Sequence, residues 1–195
     1  LKGLRDLCDE HGILLIYDEV QCGIGRTGKL FAHEWAGISP DIMMVAKGIG
    51  GGFPLGAVLA TEKAASGMTT GTHGSTYGGN PLACAVGAKV MEIVGDDAFL
   101  AEVNRKAALM RQKLEGLVAE HPTIFEAVRG SGLMLGLKCK ATNSDVVKAG
   151  FEQGVLSVPA ADNVVRLLPA LNIPDDDIAQ AIARLDAAAA SLEAG

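Results

Sequence analysis

Two short runs, ILLIY at residues 13–17 and IMMVA at residues 42–46, are wholly apolar, and charge closes each of them. Asp18 and Glu19 follow the first run and Lys47 follows the second. Five apolar residues with no polar alternation fit a strand covered on both faces, as in parallel sheets. Each run leads into a glycine-rich loop, Gly23 to Gly28 and Gly48 to Gly52. Apolar strand, charged end and glycine turn, used twice, place the chain in the α/β class.

The rest of the sequence fills in around those strands. An amphipathic helix opens the chain, with Leu4, Leu7, Cys8 and His11 on one face and Gly12 ending it. Because the sequence starts inside that helix and without Met, further residues are expected upstream. A short segment at residues 31–35 follows the first glycine loop; GAVLA (56–60) reads as a third strand and residues 61–66 as a helical turn. The polar stretch TTGTHGSTYGG (69–79) ends at Pro81, a residue favoured at the first helical position, and the Ala-rich helix over 81–94 is expected to be buried. Gly95-Asp96-Asp97 breaks it, and residues 98–120 read as a long surface helix with Leu100, Val103, Ala107, Leu114 and Leu117 apolar. Beyond Pro122 the pattern predicts a strand pair, FEAVR and LMLGLKC, a helix over 143–153, strands GVLSV and NVVRLL, and a last helix over 174–192. The change of texture sets a boundary near Gly95, with part of a mostly parallel α/β sheet in residues 1–95 and a smaller α+β unit in residues 96–195.

Charge and cysteine usage exclude several functions. With 17 basic and 23 acidic residues the net charge is −6, and no basic stripe suits a nucleic-acid backbone. Neither apolar run approaches the ~18 residues of a membrane span. Cys8, Cys22, Cys84 and Cys139 form no C-x-x-C pair and have no histidine to complete a zinc site, so they read as reduced thiols of a cytoplasmic protein that binds no metal. His11, His33 and His121 lie beside helix ends or turns and read as solvated or capping; His73 alone falls in a loop suited to an active site. The six methionines read as core filling. Gly23-Ile-Gly25-Arg-Thr-Gly28 spells a dinucleotide fingerprint, but two acids precede it and an aromatic segment, not a helix, follows. As a phosphate loop it fails too, since Leu30 stands where a magnesium-binding Ser or Thr is needed.

Lys47 and Asp18 carry the chemistry. Taken alone, Lys47 is an amphipathic side chain leaving a sheet edge; alternatively it is a partly desolvated amine able to form a Schiff base with a carbonyl cofactor. Asp18 alone would read as a strand-end cap or turn residue. In a parallel sheet, however, both strand ends face one crevice, where catalytic groups gather. Pyridoxal phosphate needs a lysine for its aldehyde and a carboxylate at its ring nitrogen, and this pair supplies both. Gln21 is either a loop amide or a donor to the cofactor's phenolic oxygen.

ILLIYDEVQCGIGRTGKLFAHEW, SPDIMMVAKGIGGGFPLGAVLA and HGSTYGGNPLACAV, in that order, resemble the class III (subgroup II) pyridoxal-phosphate aminotransferases over essentially all 195 residues. The resemblance implies that Lys47 is the Schiff-base lysine, that Asp18 holds the pyridine nitrogen and that Gln21 contacts the phenolic oxygen. It implies that Thr76 reaches the cofactor phosphate of a neighbouring subunit, hence a homodimer, and that Arg166 binds a substrate carboxylate. Arg129 matches a structural arginine. DNVVRLLPALNI and GTHGSTYGGNPLACAVG are most similar to members acting on ornithine derivatives, which implies transfer of an amino group from N-acetylornithine to 2-oxoglutarate in arginine biosynthesis. Ornithine, succinylornithine and 4-aminobutyrate are the alternative donors. Nothing here matches the family's N-terminal phosphate turn, stacking aromatic ring, second carboxylate-binding arginine or acidic gate. The chain therefore reads as a C-terminal half: the end of the fold type I large domain plus the small domain, a piece that on its own is either active or unable to hold the cofactor.

Overall fold

In the computed structural model, which describes residues 1–194, the two apolar runs lie side by side. They form β1 (Ile16–Asp18) and β2 (Ile42–Val45), parallel and in register Ile16↔Ile42, Tyr17↔Met43 and Asp18↔Met44. β1 is shorter than its apolar run. Asp41 explains where it starts, because its Oδ2 accepts the Leu15 amide at 2.7 Å and Arg5 Nη1 at 2.8 Å, while the Asp41 and Ile42 amides donate to the Leu15 carbonyl. That carboxylate sits below its ordinary range, held there by the Leu15 amide first and the Arg5 guanidinium second. Arg5 belongs to α1 (Lys2–His11), so the helix is tied to the start of the strand pair.

The third strand, β3 (Ala57–Ala60), pairs with β2 antiparallel, giving the order β1-β2-β3. The sheet is thus mixed and not mostly parallel. Parallel neighbours need a crossover of about a dozen residues or more. The β1–β2 connection, residues 19–41 with a 3-10 turn at Ala32–Ala36, is well beyond that; the β2–β3 loop, residues 46–56 with only the turn Lys47–Gly50 and no helix, is at the lower limit. Past β3 come α2 (Glu62–Ala65) and α3 (Pro81–Val94), the latter capped by Asn80, whose Oδ1 accepts the Ala83 amide at 2.9 Å. Of α3 only Ala83, Gly87 and Val94 are buried, so the expectation of a buried helix fails: alanine favours helix without demanding burial. β1 is not a covered strand either, since Ile13, Leu14 and Ile16 are exposed and only Leu15 beside them is buried.

Residues 1–100 make one compact unit and residues from Ala101 onward a second, the division falling in the first turn of α4 (Asp97–Glu120). The second unit contains β4 (Phe125–Ser131), β5 (Met134–Cys139), α5 (Asn143–Glu152), β6 (Val158–Ala160), β7 (Val164–Leu167) and α6 (Asp175–Glu193). Its sheet is antiparallel throughout, in the order β4-β5-β7-β6. The core packs Leu114 and Leu117 of α4, Leu135 and Leu137 of β5, Val165 of β7 and Leu185 of α6, all nearly inaccessible. GVLSV does not form the strand expected of it. The Gly154 and Val155 amides turn back to the Phe151 and Gly150 carbonyls, closing α5, and the ladder starts only at Val158.

Candidate active site

Asp18 ends β1 opposite Met44 of the parallel β2, and Lys47 opens the 3-10 turn that follows β2, two residues past Val45. Strands in a ladder lie about 4.8 Å apart, so both side chains arise at one end of one sheet. Asp18 is exposed and its Oδ1 accepts the Val20 amide at 2.9 Å, which fixes the carboxylate and leaves Oδ2 without a partner among the described residues. Lys47 is exposed and its backbone is left-handed, with φ +50°. A non-glycine residue there costs about 1–3 kcal/mol and such strain gathers at functional sites. Gln21 lies half-buried in the turn after β1. Cys22, next to it, points its Sγ at the Asp18 carbonyl (3.7 Å), and burial first, then the Glu19 charge, pushes its thiol above the usual range. The site therefore has a neutral thiol beside an available carboxylate and an amine.

Those groups fit pyridoxal phosphate at its ring and aldehyde ends: a carboxylate oxygen free to face a ring nitrogen, an accessible amine just past the end of the adjacent strand, and an amide in the turn after β1. Thr76 lies in an exposed stretch before α3 where Ser75 Oγ accepts the Gly78 amide and Tyr77 is 82 % accessible. His73, in the same stretch, is also exposed. Arg166 belongs to the second unit. It sits in mid-β7 opposite Gly136 and Val158, and its Nε is buried with no hydrogen-bond partner among the described residues. Its strand is held by two asparagines: Asn163 Nδ2 donates to the Cys139 and Ala141 carbonyls, and Asn143 Nδ2 to those of Ala160 and Val164. Arg129 pairs with Asp162, which Lys138 also holds at 2.8 Å, consistent with a structural role.

Two histidines expected at the surface are instead paired with carboxylates. His33 Nδ1 lies 2.8 Å from Glu19 Oε1, and its ring stacks on Phe31 with centroids 5.8 Å apart. His121 is held by Asp186 at Nε2 (2.8 Å) and Glu193 at Nδ1 (2.9 Å), and its pKa is raised, chiefly by the Asp186 bond. Both pairings join residues remote in sequence, which local pattern cannot reveal. Glu120, His121 and Asp186 bring ligand atoms within 4.8 Å of one another, but both ring nitrogens are already engaged. Glu19, directly after Asp18, is 3 % accessible, a burial its place at the charged end of an apolar run does not reveal.

A family model described as class-III aminotransferase matches residues 1–189, and the chain belongs to that family. It is 72% identical over 193 residues to an acetylornithine aminotransferase of Rhodobacter capsulatus, covering 99% of this chain and 49% of that one. An N-acetylornithine aminotransferase structure from Stenotrophomonas maltophilia superposes with a TM-score of 0.89 at 38% identity, covering 99% of this chain and 51% of that one. An ornithine aminotransferase structure from Toxoplasma gondii superposes equally well, with a TM-score of 0.90 at 34% identity over 99% of this chain and 47% of that one. The chain thus spans about half the length of the relatives it matches. No helix among the described residues is long and apolar enough to cross a membrane.

Proposed function

We propose that this chain carries the lysine side of a pyridoxal-phosphate aminotransferase that moves the terminal amino group of N-acetylornithine to 2-oxoglutarate, releasing N-acetylglutamate semialdehyde and glutamate. The observation that carries the reading is the placement of Asp18 at the end of β1 and of Lys47 two residues past the end of its parallel neighbour β2. The 72% identity to an acetylornithine enzyme favours that donor, whereas the equal superposition on acetylornithine and ornithine enzymes shows that backbone shape alone does not choose it. In this reading residues 1–95 are the end of the fold type I large domain and residues 96–195 its small domain. The unpaired cysteines suit a reducing, cytoplasmic setting.

When bound, the coenzyme supplies an electron-withdrawing ring that stabilises negative charge on the substrate carbon. Asp18 would hold a proton at the coenzyme's ring nitrogen through Oδ2, and Gln21 would donate to its phenolic oxygen. Lys47 would hold the coenzyme at its aldehyde end. The Lys47 amine would also serve as base and then acid, taking a proton from the substrate carbon and giving it back. Arg166, with a buried unpartnered Nε, binds a substrate carboxylate in at least one half-reaction. The exposed loop carrying Thr76 supports a hydroxyl that acts across a homodimer, on the phosphate of the neighbouring subunit.

The test is borohydride reduction of the coenzyme-loaded enzyme followed by peptide mapping, alongside Lys47→Ala. Label on Lys47 and loss of turnover by at least about 10⁴-fold are expected. Label on another lysine, or appreciable turnover by the variant, would overturn the assignment. Rates with N-acetylornithine, ornithine, succinylornithine and 4-aminobutyrate decide the donor.

A further inference from the structure

Glu19 is a buried carboxylate that the proposed reaction leaves unused. Burying a carboxylate costs several kcal/mol unless donors surround it. Three do: the Ala32 amide at 2.6 Å on Oε2, and the His33 amide and His33 Nδ1, each at 2.8 Å, on Oε1. Those two amides open the 3-10 turn Ala32–Ala36, so Glu19 caps a turn thirteen residues further along the chain. Its backbone is tied on both sides as well. The Glu19 amide donates to the Met44 carbonyl at 2.9 Å, on the strand that leads to Lys47, and the Glu19 carbonyl accepts the Gly23 amide at 3.0 Å, closing the turn that holds Gln21.

The turn closes tightly over this carboxylate. A Cβ on Gly23 would stand 2.8 Å from the Glu19 carbonyl oxygen and 3.0 Å from its Oε2, so only glycine fits there. The next residue, Ile24, is 2 % accessible and left-handed at φ +53°, and a Cβ on Gly48 would stand 3.2 Å from the Ile24 Cβ. One buried residue thus joins the end of β1, the Gln21 turn and the Ala32–Ala36 turn, and Ile24, which follows Gly23 in that turn, packs against the glycine after Lys47. Glu19 stands one residue past β1 and its carboxylate is taken up by the Ala32–Ala36 turn, so its role toward the coenzyme is indirect.

We propose that Glu19 is a positioning residue for the coenzyme crevice: by capping the Ala32–Ala36 turn and clamping His33, it sets the angle at which Asp18 and Gln21 meet the coenzyme opposite Lys47. The inference rests on the reading that Asp18 and Gln21 contact pyridoxal phosphate. Glu19→Gln keeps size and one acceptor oxygen, but its amide nitrogen meets donors where a carboxylate oxygen stood.

The experiment compares Glu19→Gln, His33→Ala and Asp18→Asn in the holoenzyme, following coenzyme release on dilution, the pH midpoint of the coenzyme's visible band, and the melting temperature of the coenzyme-free protein. Glu19→Gln is expected to speed release on the order of 10-fold, as loss of a residue supporting a liganding group does. It is also expected to move the band midpoint in the same direction as Asp18→Asn, with His33→Ala showing a smaller shift. A lower melting temperature with release and midpoint unchanged in both Glu19→Gln and His33→Ala would show a purely structural role and overturn the proposal. If Asp18→Asn itself leaves release and midpoint unchanged, the reading of Asp18 fails and the proposal goes with it. If Glu19→Gln does not fold, His33→Ala decides alone.

Discussion

The two units solve the problem of burial differently. The second encloses its own core: α4 and α6 supply Leu114, Leu117 and Leu185, the sheet supplies Leu135, Leu137 and Val165, and all are nearly inaccessible. In the first unit the buried apolar residues are Leu15, Ile24, Met43, Val45, Ala83 and Val94, while Leu4, Leu7, Ile13, Ile16, Val58 and Leu59 remain exposed. The outer edges of β1 and β3 carry no further strand among the described residues. A three-stranded sheet with open edges and bare apolar faces depends on cover from elsewhere. The same unit carries the proposed catalytic lysine, so the half of this chain with the chemistry is the half whose surface is least finished.

That contrast can be broken most directly by separating the units. Residues 96–195, which keep α4 whole, are expected to unfold cooperatively in urea with a stability of about 5 kcal/mol, within the ordinary range for a domain. Residues 1–95 alone are expected to show no cooperative transition; a sharp one would show that the exposed apolar surface is tolerated. At single-residue level, Leu137→Ala, at a site of 0 % accessibility, should cost about 2–5 kcal/mol, whereas Val58→Ala, at 64 %, should lie within about 0.5 kcal/mol in this chain. Equal losses would mean that the first unit is covered after all.

A smaller effect belongs to His121, whose two carboxylate partners, Asp186 and Glu193, both lie on α6. His121→Ala should cost about 1–3 kcal/mol in denaturant unfolding at pH 6. Because the folded pKa is raised, that stabilisation is complete below the unfolded value of about 6.5 and fades as pH rises through the folded value. The gap between wild type and variant should therefore narrow at pH 9. A gap that widens with pH would show that the imidazole contributes in its neutral form.

Much of this was readable before any fold was known. The apolar runs gave β1 and β2 and their parallel pairing, with Asp18 at the end of one and Lys47 just past the other, because strand composition and strand ends are local properties. α1, α3, α4, α5 and α6 all lie where periodicity and capping place them. The errors share a cause. The antiparallel β3, the exposed faces of β1 and α3, and the late start of β6 each depend on which neighbour a segment meets, and a window of sequence does not contain the neighbour.

The sequence by itself determined the class of fold, the family, and the residues proposed to face the coenzyme, since these rest on patterns within a few dozen adjacent positions. Only the tertiary structure decided that the first sheet is mixed, that His33 and His121 are clamped by carboxylates, and that Glu19 is buried beneath the turn that carries Gln21. Hydrogen bonds and burial act through space between groups thirteen to seventy-two residues apart, and a charge becomes a clamp only where folding has removed water and brought donors to it.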